Sequence, residues 1–153
     1  MDDPPARTLE AHILGHIPLA RAMQLSVSHY TGGELGMTAP LAPNINDKGC
    51  AFGGSMASLL TLAGWGLLEL GLHAQGFDCD IYVGDSQLRY HEPVWGELRG
   101  SARFAQAGAL AAVAAGLRER GKGHADVVCE IAGEKRAAAT LAARFFARLR
   151  GSA

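Results

Sequence analysis

Hydrophobic residues run almost without interruption from Gly53 to Leu72, and this run is the strongest pattern in the chain. Plotted at about 100° per residue, its polar side chains share one side and its larger apolar side chains share another. The polar side holds Ser55, Ser58, Thr61, Trp65 and Glu69, and the apolar side holds Met56, Leu59, Leu60, Ala63, Leu67 and Leu70. We predict a long helix buried inside a protein, over about residues 53–72.

The length of this run would also allow it to cross a bilayer, which takes about 20 apolar residues. Its sidedness argues against that alternative, because a helix surrounded by lipid has little reason to sort its side chains. No Lys or Arg closes the C-terminal end of the run. We therefore expect no membrane partner.

Apolar and polar residues alternate with period two on both sides of the helix, which predicts strands. Turn residues separate these segments, namely Thr31-Gly32-Gly33, the stretch from Pro93 to Gly96, and Gly133-Glu134. We predict three antiparallel hairpins, formed by residues 25–30 with 34–38, 80–90 with 97–104, and 124–132 with 135–149.

Two shorter helices complete the prediction. One lies near residues 8–15 and is ended by Pro18, and the other covers the alanine-rich residues 108–120 and is closed by Gly121 and Gly123. Alanine content would also allow a helix at the end of the chain, but the alternation there favours a strand. The predicted fold is α+β, a single domain over residues 1–153 with one antiparallel sheet and the long helix buried against it.

Composition narrows the function. The chain has 153 residues, 48% hydrophobic and 19% charged, which suits one well-buried domain. With 14 basic and 15 acidic residues, the net charge of −1 gives no electrostatic reason to expect nucleic acid as a partner. The three cysteines are odd in number and lack C-x-x-C spacing, so we expect no disulfide framework and no zinc site. We also expect no other metal and no cofactor. Without a signal peptide at Met-Asp-Asp-Pro-Pro, a cytoplasmic location is expected.

One segment carries candidate chemistry at the start of the long helix. It places the carboxamide of Asn46 just ahead of Gly53 and Gly54. Glycine lets a ligand approach the backbone, and the first helical turn presents unpaired N–H groups that suit a developing oxyanion. The alternative is an ordinary glycine-rich turn. Ser55 and Ser58 would cap the helix or bond to a substrate, and capping is the preferred interpretation.

The order of elements and two motifs resemble the hot-dog-fold thioesterases. The motifs are Asn46-x-x-Gly49-x-x-Phe52-Gly53-Gly54-Ser55 and the later Asp85-Ser-Gln-Leu-Arg-Tyr90-His-Glu-Pro93. Within that superfamily, the stretch from Pro40 to Gly66 looks most like the thioesterase domain of the YiiD C-terminal type. The resemblance implies a sheet wrapped around a central helix and dimers with a continuous sheet, with a dimer of dimers as a further option. It also implies acyl thioesters of coenzyme A or acyl carrier protein as substrates, bound at the dimer interface.

The family pattern transfers to this chain only in part. Asn46 and Gly53 match the carboxamide and the glycine N–H that relatives place near the thioester carbonyl. Phe52 stands where relatives have a histidine, and Thr61 stands where they have a catalytic carboxylate. We expect the substrate to contact Phe52, Gly53, Gly54, Ser55 and Ser58.

The missing carboxylate leaves the general base open. We rank Asp85 first, because an inward-facing acid in the middle of a strand would meet the partner's helix; the alternative is an outward-facing strand residue. Thr61 would position a water without deprotonating it. Glu69 lies about 24 Å along the helix from Gly53, too far to serve within one subunit. We expect it to be a partly buried acid paired with a cation such as Arg89 or Arg99.

Histidine and cysteine side chains offer weaker candidates. His12 and His16 have i, i+4 spacing but lack the companion glutamate of a zinc motif, so an exposed helix face is expected. His91, next to Glu92 at a strand end, would either reach a site or lie in a loop. Cys50 has no histidine nearby in the sequence to activate it, so we expect a buried structural cysteine.

Three functions remain open. The leading hypothesis is an acyl thioester hydrolase in which Asn46 and the N–H groups near Gly53 and Gly54 polarise the carbonyl. A dehydratase or hydratase of the same fold would use a histidine, and Phe52 occupies the place where one would stand. The third is a non-catalytic module that binds acyl thioesters, which the absence of a carboxylate at Thr61 favours.

Overall fold

The computed structural model describes residues 3–151, in which helices and strands mix as an α+β fold. This part of the chain holds four α-helices: α1 Pro4–His16, α2 Pro18–Met23, α3 Gly53–Ala74 and α4 Ala109–Arg120. It holds six strands: β1 Ser26–Tyr30, β2 Glu34–Ala39, β3 Cys79–Tyr90, β4 Leu98–Phe104, β5 Lys122–Ile131 and β6 Ala139–Leu149. A short 3-10 turn at Ala42–Asn44 precedes α3.

The six strands form one antiparallel sheet in the order β1-β2-β4-β5-β6-β3. The first and last predicted hairpins are confirmed, since β1 pairs with β2 and β5 pairs with β6. The middle hairpin is wrong, because β3 pairs with β6 at one edge while β4 lies between β2 and β5. Strands β5 and β6 separate β3 from β4, a gap of about 14 Å that the loop over residues 91–97 is long enough to span.

Helix α3 lies across one face of the sheet and forms the centre of the core, as predicted. It contacts strands β2 to β6, and the helix runs two residues beyond the predicted end, to Ala74. A Cβ added to Gly64 would lie 2.8 Å from the Phe145 ring and 3.3 Å from Cys129 Sγ, so the helix backbone approaches the sheet closely there. By length and composition α3 would pass as a membrane span, but 61% of its apolar window is buried inside the fold.

The shorter elements differ from the prediction mainly at their ends. The first helix covers Pro4–His16, and Pro18 does not only end it but also opens α2, where its missing N–H costs no hydrogen bond. Helix α4 follows the prediction and is closed by Gly121, which has a φ of 75°. Strand β6 begins at Ala139 rather than at residue 135.

Strand β3 contains a bulge that changes which residues face the helix. Val83 pairs with Phe145, and the next paired residue, Asp85, lies opposite Arg144, so Gly84 is the extra residue. A side chain at Gly84 would collide with the ring of Phe146 on the outer face. After the bulge the alternation is therefore reversed relative to the first half of the strand.

All three cysteines are buried and free of disulfides. Cys50 is 6% exposed, Cys79 is 4% exposed and Cys129, beneath the middle of α3, is fully buried. Burial raises the pKa of the Cys129 thiol to about 12. Burial is also the main cause of the raised pKa of Cys79, with a further contribution from the nearby charge of Glu69.

Candidate active site at the start of the central helix

The loop before α3 holds Asn46 in a tight turn. Its Oδ1 accepts a hydrogen bond from the N–H of Lys48 at 2.8 Å, and its Nδ2 donates to Cys50 Sγ at 3.3 Å. A bridge between Ile45 and Ala51 closes the loop. The Asn46 carboxamide thus shapes the loop that leads to the helix, and its role near a thioester stays a prediction. Cys50 lies in the same network as a buried side chain.

A second asparagine, Asn44, was not among the predicted site residues. It is 1% exposed, and its Nδ2 donates to the carbonyls of Met23 at 2.9 Å and Pro40 at 2.8 Å. The backbone carbonyl of Asn44 accepts a hydrogen bond from the N–H of Phe52 at 2.7 Å, directly before the helix. Its Oδ1 has no hydrogen-bond partner within residues 3–151. Asn44 therefore ties α2 and the preceding loop to the start of α3, a role that depends on contacts with residues distant in the sequence.

The first turn of α3 leaves two backbone amides open. The first hydrogen bonds of the helix run from Ser55 and Met56 to the carbonyl of Phe52. The N–H groups of Gly53 and Gly54 have no acceptor in the described part of the chain. The Phe52 ring is 55% exposed, and a side chain at Gly54 would collide with it. The two open amides suit a polarised carbonyl oxygen.

Tyr90, at the end of β3, fixes this turn from the sheet. Its hydroxyl donates a hydrogen bond to the Gly53 carbonyl at 2.9 Å. A Cβ at Gly53 would lie 3.2 Å from the Tyr90 hydroxyl oxygen. Tyr90 pairs with Ala139, which is buried beneath the helix, so both face α3. Tyr90 belongs to the second sequence motif, but the motif alone predicted no role for it.

A mostly apolar cleft of about 310 Å³ follows α3 after the first turn. The cleft is lined by Ile17, Leu19, Ala57, Ser58, Thr61 and Leu62. The hydroxyl of Ser58 donates to the Gly54 carbonyl at 2.9 Å, and that of Thr61 donates to the Ala57 carbonyl at 2.8 Å. The preferred capping interpretation is wrong, because neither Ser55 nor Ser58 caps the helix. The hydroxyl oxygens of Ser58 and Thr61 keep lone pairs that can accept a hydrogen bond.

Asp85 does not face the helix within this protomer. It pairs with Arg144, whose neighbours Ala143 and Phe145 are buried against α3, so Asp85 and Arg144 share the outer face. Arg144 donates to Asp126 at 2.8 Å and 3.1 Å, and this bond holds the pKa of Asp126 below its usual range. The Gly84 bulge is the physical reason, because without it the alternation would turn Asp85 inward. Its role as a base stays a prediction.

The predicted partners of Glu69 are wrong. Among residues 3–151 Glu69 forms no ion pair, and the cationic and titratable groups that lower its pKa are Arg150, His12 and His73. Burial outweighs them and raises the pKa of Glu69 above its ordinary value. Glu69 is half-buried in a different cavity from the Thr61 cleft.

The three candidate histidines contact residues other than those at the start of α3. His12 and His16 are exposed on α1, as expected, and their rings stack with centroids 4.3 Å apart. His91 lies after β3, where its Nε2 is 3.0 Å from Thr140 Oγ. Over residues 3–151, no group of three or more His, Cys, Asp or Glu side chains is arranged to hold a metal ion.

Solved structures share this fold along nearly the whole chain. A protein of unknown function from Chlorobaculum tepidum is 26% identical with a TM-score of 0.88, covering 95% of this chain and 94% of its own. A putative thioesterase from Shewanella oneidensis is 27% identical with a TM-score of 0.84, covering 97% and 99%. A thioesterase from Haemophilus influenzae is 12% identical with a TM-score of 0.72, covering 96% and 92%, and this last likeness concerns the fold alone.

The sequence matches a family model over almost its full length. The model, described as "Putative thioesterase (yiiD_Cterm)", covers residues 6–149. Its match agrees with the six-stranded sheet around a long helix and with the hot-dog-fold neighbours. The chain therefore belongs to the YiiD C-terminal family of hot-dog-fold proteins, a family described as thioesterases.

Proposed function

We propose that this protein hydrolyses acyl thioesters carried on coenzyme A or acyl carrier protein. The observation that carries the proposal is the pair of open amides at Gly53 and Gly54, together with a mostly apolar cleft that begins at Ala57, one helical turn further along α3. The amides would hold the thioester carbonyl oxygen, and the acyl chain would follow α3 past Ser58 towards Leu62. Water then adds to the carbonyl carbon, the C–S bond breaks, and a carboxylic acid and a thiol leave.

Hydrolysis of a thioester depends more on positioning the attacking water than on an acid that protonates the departing sulfur. A thiol has a pKa near 8.5, so the departing sulfur carries its negative charge far more easily than an alkoxide would. Thr61 lies about 12 Å along the helix from Gly53, farther than one water bridges, so we propose that it acts across the dimer interface on a thioester held by the amides of the other protomer. Its oxygen can accept a hydrogen bond from water. We assign Thr61 this positioning role, with the proton passing to solvent. Asp85 is the remaining candidate base, although its outward position argues against it.

Assembly into a dimer would complete the site. Among residues 3–151, no strand pairs with the outer side of β3, an edge strand of 12 residues. Tyr82 and Val83 on it are 66% and 44% exposed. A second copy that pairs with this edge would cover both side chains and continue the sheet.

Binding of acyl thioesters without turnover is the second candidate function. Two observations favour it: Thr61 stands where the family pattern has a carboxylate, and Asp85 lies on the outer face. A dehydratase or hydratase is less well supported, because Phe52 replaces the histidine and His91 is engaged with Thr140.

The decisive experiment measures hydrolysis across a panel of acyl-CoA and acyl-carrier-protein substrates with different chain lengths. We expect wild type to release free thiol, and Thr61→Val to lower kcat by about tenfold to a hundredfold with little change in KM. Asn46→Ala should also lower kcat, because it loosens the loop that places the amides. Asp85→Asn is the matched control and should keep wild-type activity.

The outcomes separate the candidates. Saturable binding of an acyl-CoA with no release of thiol across the panel would support the binding module instead. Equal rates for wild type, Thr61→Val and Asn46→Ala would remove the proposed site. A large loss in Asp85→Asn would return the base to that residue.

A further inference from the structure

A second cavity lies at the other end of α3, away from the proposed thioester site. It is open to solvent, has a volume of about 420 Å³ and is bordered by α1, the second half of α3, the first residues of β3 and Arg150. Glu69, which lines it, is 16 residues beyond Gly53, or about 24 Å along the helix. Within one protomer the two sites are therefore separate, and ligand binding in this cavity is measured independently of thioester hydrolysis.

The acidic groups of this cavity outnumber the basic ones. The cavity contains Glu69, Asp78 and Asp80, with Arg150 as its one permanent cation among the lining residues. Arg150 donates to Asp78 at 2.8 Å, to Asp80 at 3.0 Å and to the Cys79 carbonyl at 3.1 Å. All three nitrogens of its guanidinium group are thus engaged. Arg150 neutralises one unit of charge, and three of its five N–H groups are already engaged.

Arg150 forms hydrogen bonds with Asp78 and Asp80 but not with Glu69, the third carboxyl group of the cavity. No group within residues 3–151 donates a hydrogen bond to it, although it is half-buried. A carboxylate that has lost part of its water shell without gaining a partner is costly to the fold. The other titratable groups whose charges act on it are His12 and His73, which lower its pKa, and Asp78, which raises it. A cationic partner would relieve that cost.

The remaining walls are aromatic and aliphatic. The indole of Trp65 lies beneath the ring of His12, with centroids 6.1 Å apart and planes 15° from parallel. Leu70 and Ile81 line the cavity and are each 8% exposed. Trp65 and Glu69 are four residues apart on α3 and line the same cavity, and this wall suits an organic cation because an indole and a carboxylate both attract positive charge.

We propose that this cavity binds a small organic cation, a protonated primary amine with an aromatic or aliphatic body. The ammonium pairs with Glu69, and the apolar body packs on Trp65, Leu70 and Ile81. The volume of the cavity accommodates a ligand larger than a single ring.

Benzylamine, which is protonated at neutral pH, is the probe, and benzyl alcohol is its neutral counterpart of similar shape. Binding is followed by fluorescence in Trp95→Phe protein, which leaves Trp65 as the one tryptophan, since the chain has two. For a probe with so few atoms we expect a Kd of about 1 mM. Benzyl alcohol should bind at least about tenfold more weakly, because it gains nothing from the carboxylate.

Two variants test the assignment to Glu69. Glu69→Gln should weaken benzylamine binding about tenfold, whereas Glu97→Gln, which makes the same change of charge in an exposed loop, should leave it unchanged. Thr8→Lys places a tethered cation in the cavity from the exposed face of α1 and should also weaken binding about tenfold. Circular dichroism confirms that each variant is folded.

The proposal is overturned by any of three results. These are no saturable change in Trp65 fluorescence, equal affinity for benzylamine and benzyl alcohol, or equal affinity in wild type and Thr8→Lys. Because Thr8 is exposed, the last comparison holds even if Glu69→Gln folds poorly.

Discussion

Two asparagines in the loop before α3 show how one side-chain type serves two purposes. Asn44 is buried and spends both amide hydrogens on the carbonyls of Met23 and Pro40, so it joins separate parts of the chain. Asn46 is half-buried and bonds within its own loop, to Lys48 and Cys50. The sequence motif pointed to Asn46 because it lies just ahead of Gly53 and Gly54 and matches the carboxamide of the thioesterase pattern. Asn44 makes its contacts with distant residues, which spacing alone does not reveal.

Glu69 predicts an unusual dependence of stability on pH. Its pKa is higher in the folded protein than in the unfolded chain, because burial disfavours the charged form. Below the ordinary pKa of a glutamic acid both states are protonated and burial costs nothing extra. As pH rises through the window above that value, the unfolded chain ionises first, so this residue lowers the free energy of unfolding.

Glu69→Gln removes this effect. We expect the variant to gain stability relative to wild type as pH rises from about 4 to 7. Urea unfolding at several pH values measures the difference between the two proteins, so the contributions of all other groups cancel. Glu97→Gln, the exposed control, should give a constant difference. A gap for Glu69→Gln that stays constant or shrinks with pH would contradict the assignment.

At the scale of elements, the sequence predicted the long helix and the strand segments, because periodicity depends only on neighbouring residues. It did not predict the partner of β3, since alternation marks a strand without saying which strand lies beside it. It also missed the Gly84 bulge, which reverses the alternation within one strand and turns Asp85 away from the helix. Part of the candidate site was therefore predictable, whereas the direction of Asp85 and the role of Tyr90 depend on pairing across the sheet.

The close approach of α3 to the sheet makes a prediction about two helical glycines. Gly64→Ala adds a methyl group against Phe145 and should lower the free energy of unfolding by about 1–2 kcal/mol. Gly15→Ala, in α1, meets nothing within 4 Å and should raise it by about 0.5 kcal/mol through helix propensity. Chemical denaturation measures both. Equal gains in the two variants would mean that the contact at Gly64 does not constrain the fold.

At the scale of the whole molecule, the two edges of the sheet are treated differently. On β1, the N–H of Val27 donates to Glu10 at 2.8 Å, and Arg7 donates to the carbonyl of the same residue. Side chains from α1 thus occupy backbone groups on that edge, while β3 offers Tyr82 and Val83 without a cover. One blocked edge and one open edge favour a closed pair over an open chain of subunits.

Analytical ultracentrifugation tests this arrangement. The chain has a mass of 16.0 kDa, and we expect a species of twice that mass. Replacing Tyr82 and Val83 together by Lys should give monomers, because it places charge on the open edge. Trp95→Lys, at an exposed apolar residue elsewhere, should leave the dimer intact. A wild-type monomer at all concentrations would contradict the proposal.

The three buried cysteines can be used as probes of local and global opening of the fold. Alkylating reagents react with an accessible thiolate, and the three buried cysteines offer none in the folded protein. Each thiol is therefore modified only when the structure around it opens. Cys50 lies in a loop, whereas Cys129 lies on an interior strand beneath α3. In timed alkylation followed by mass spectrometry, we expect Cys50 to react by local opening and Cys129 only at the rate of global unfolding. Ligands that rigidify the loop before α3 would then slow Cys50 and leave Cys129 unchanged, so the position of a bound ligand could be identified without seeing it.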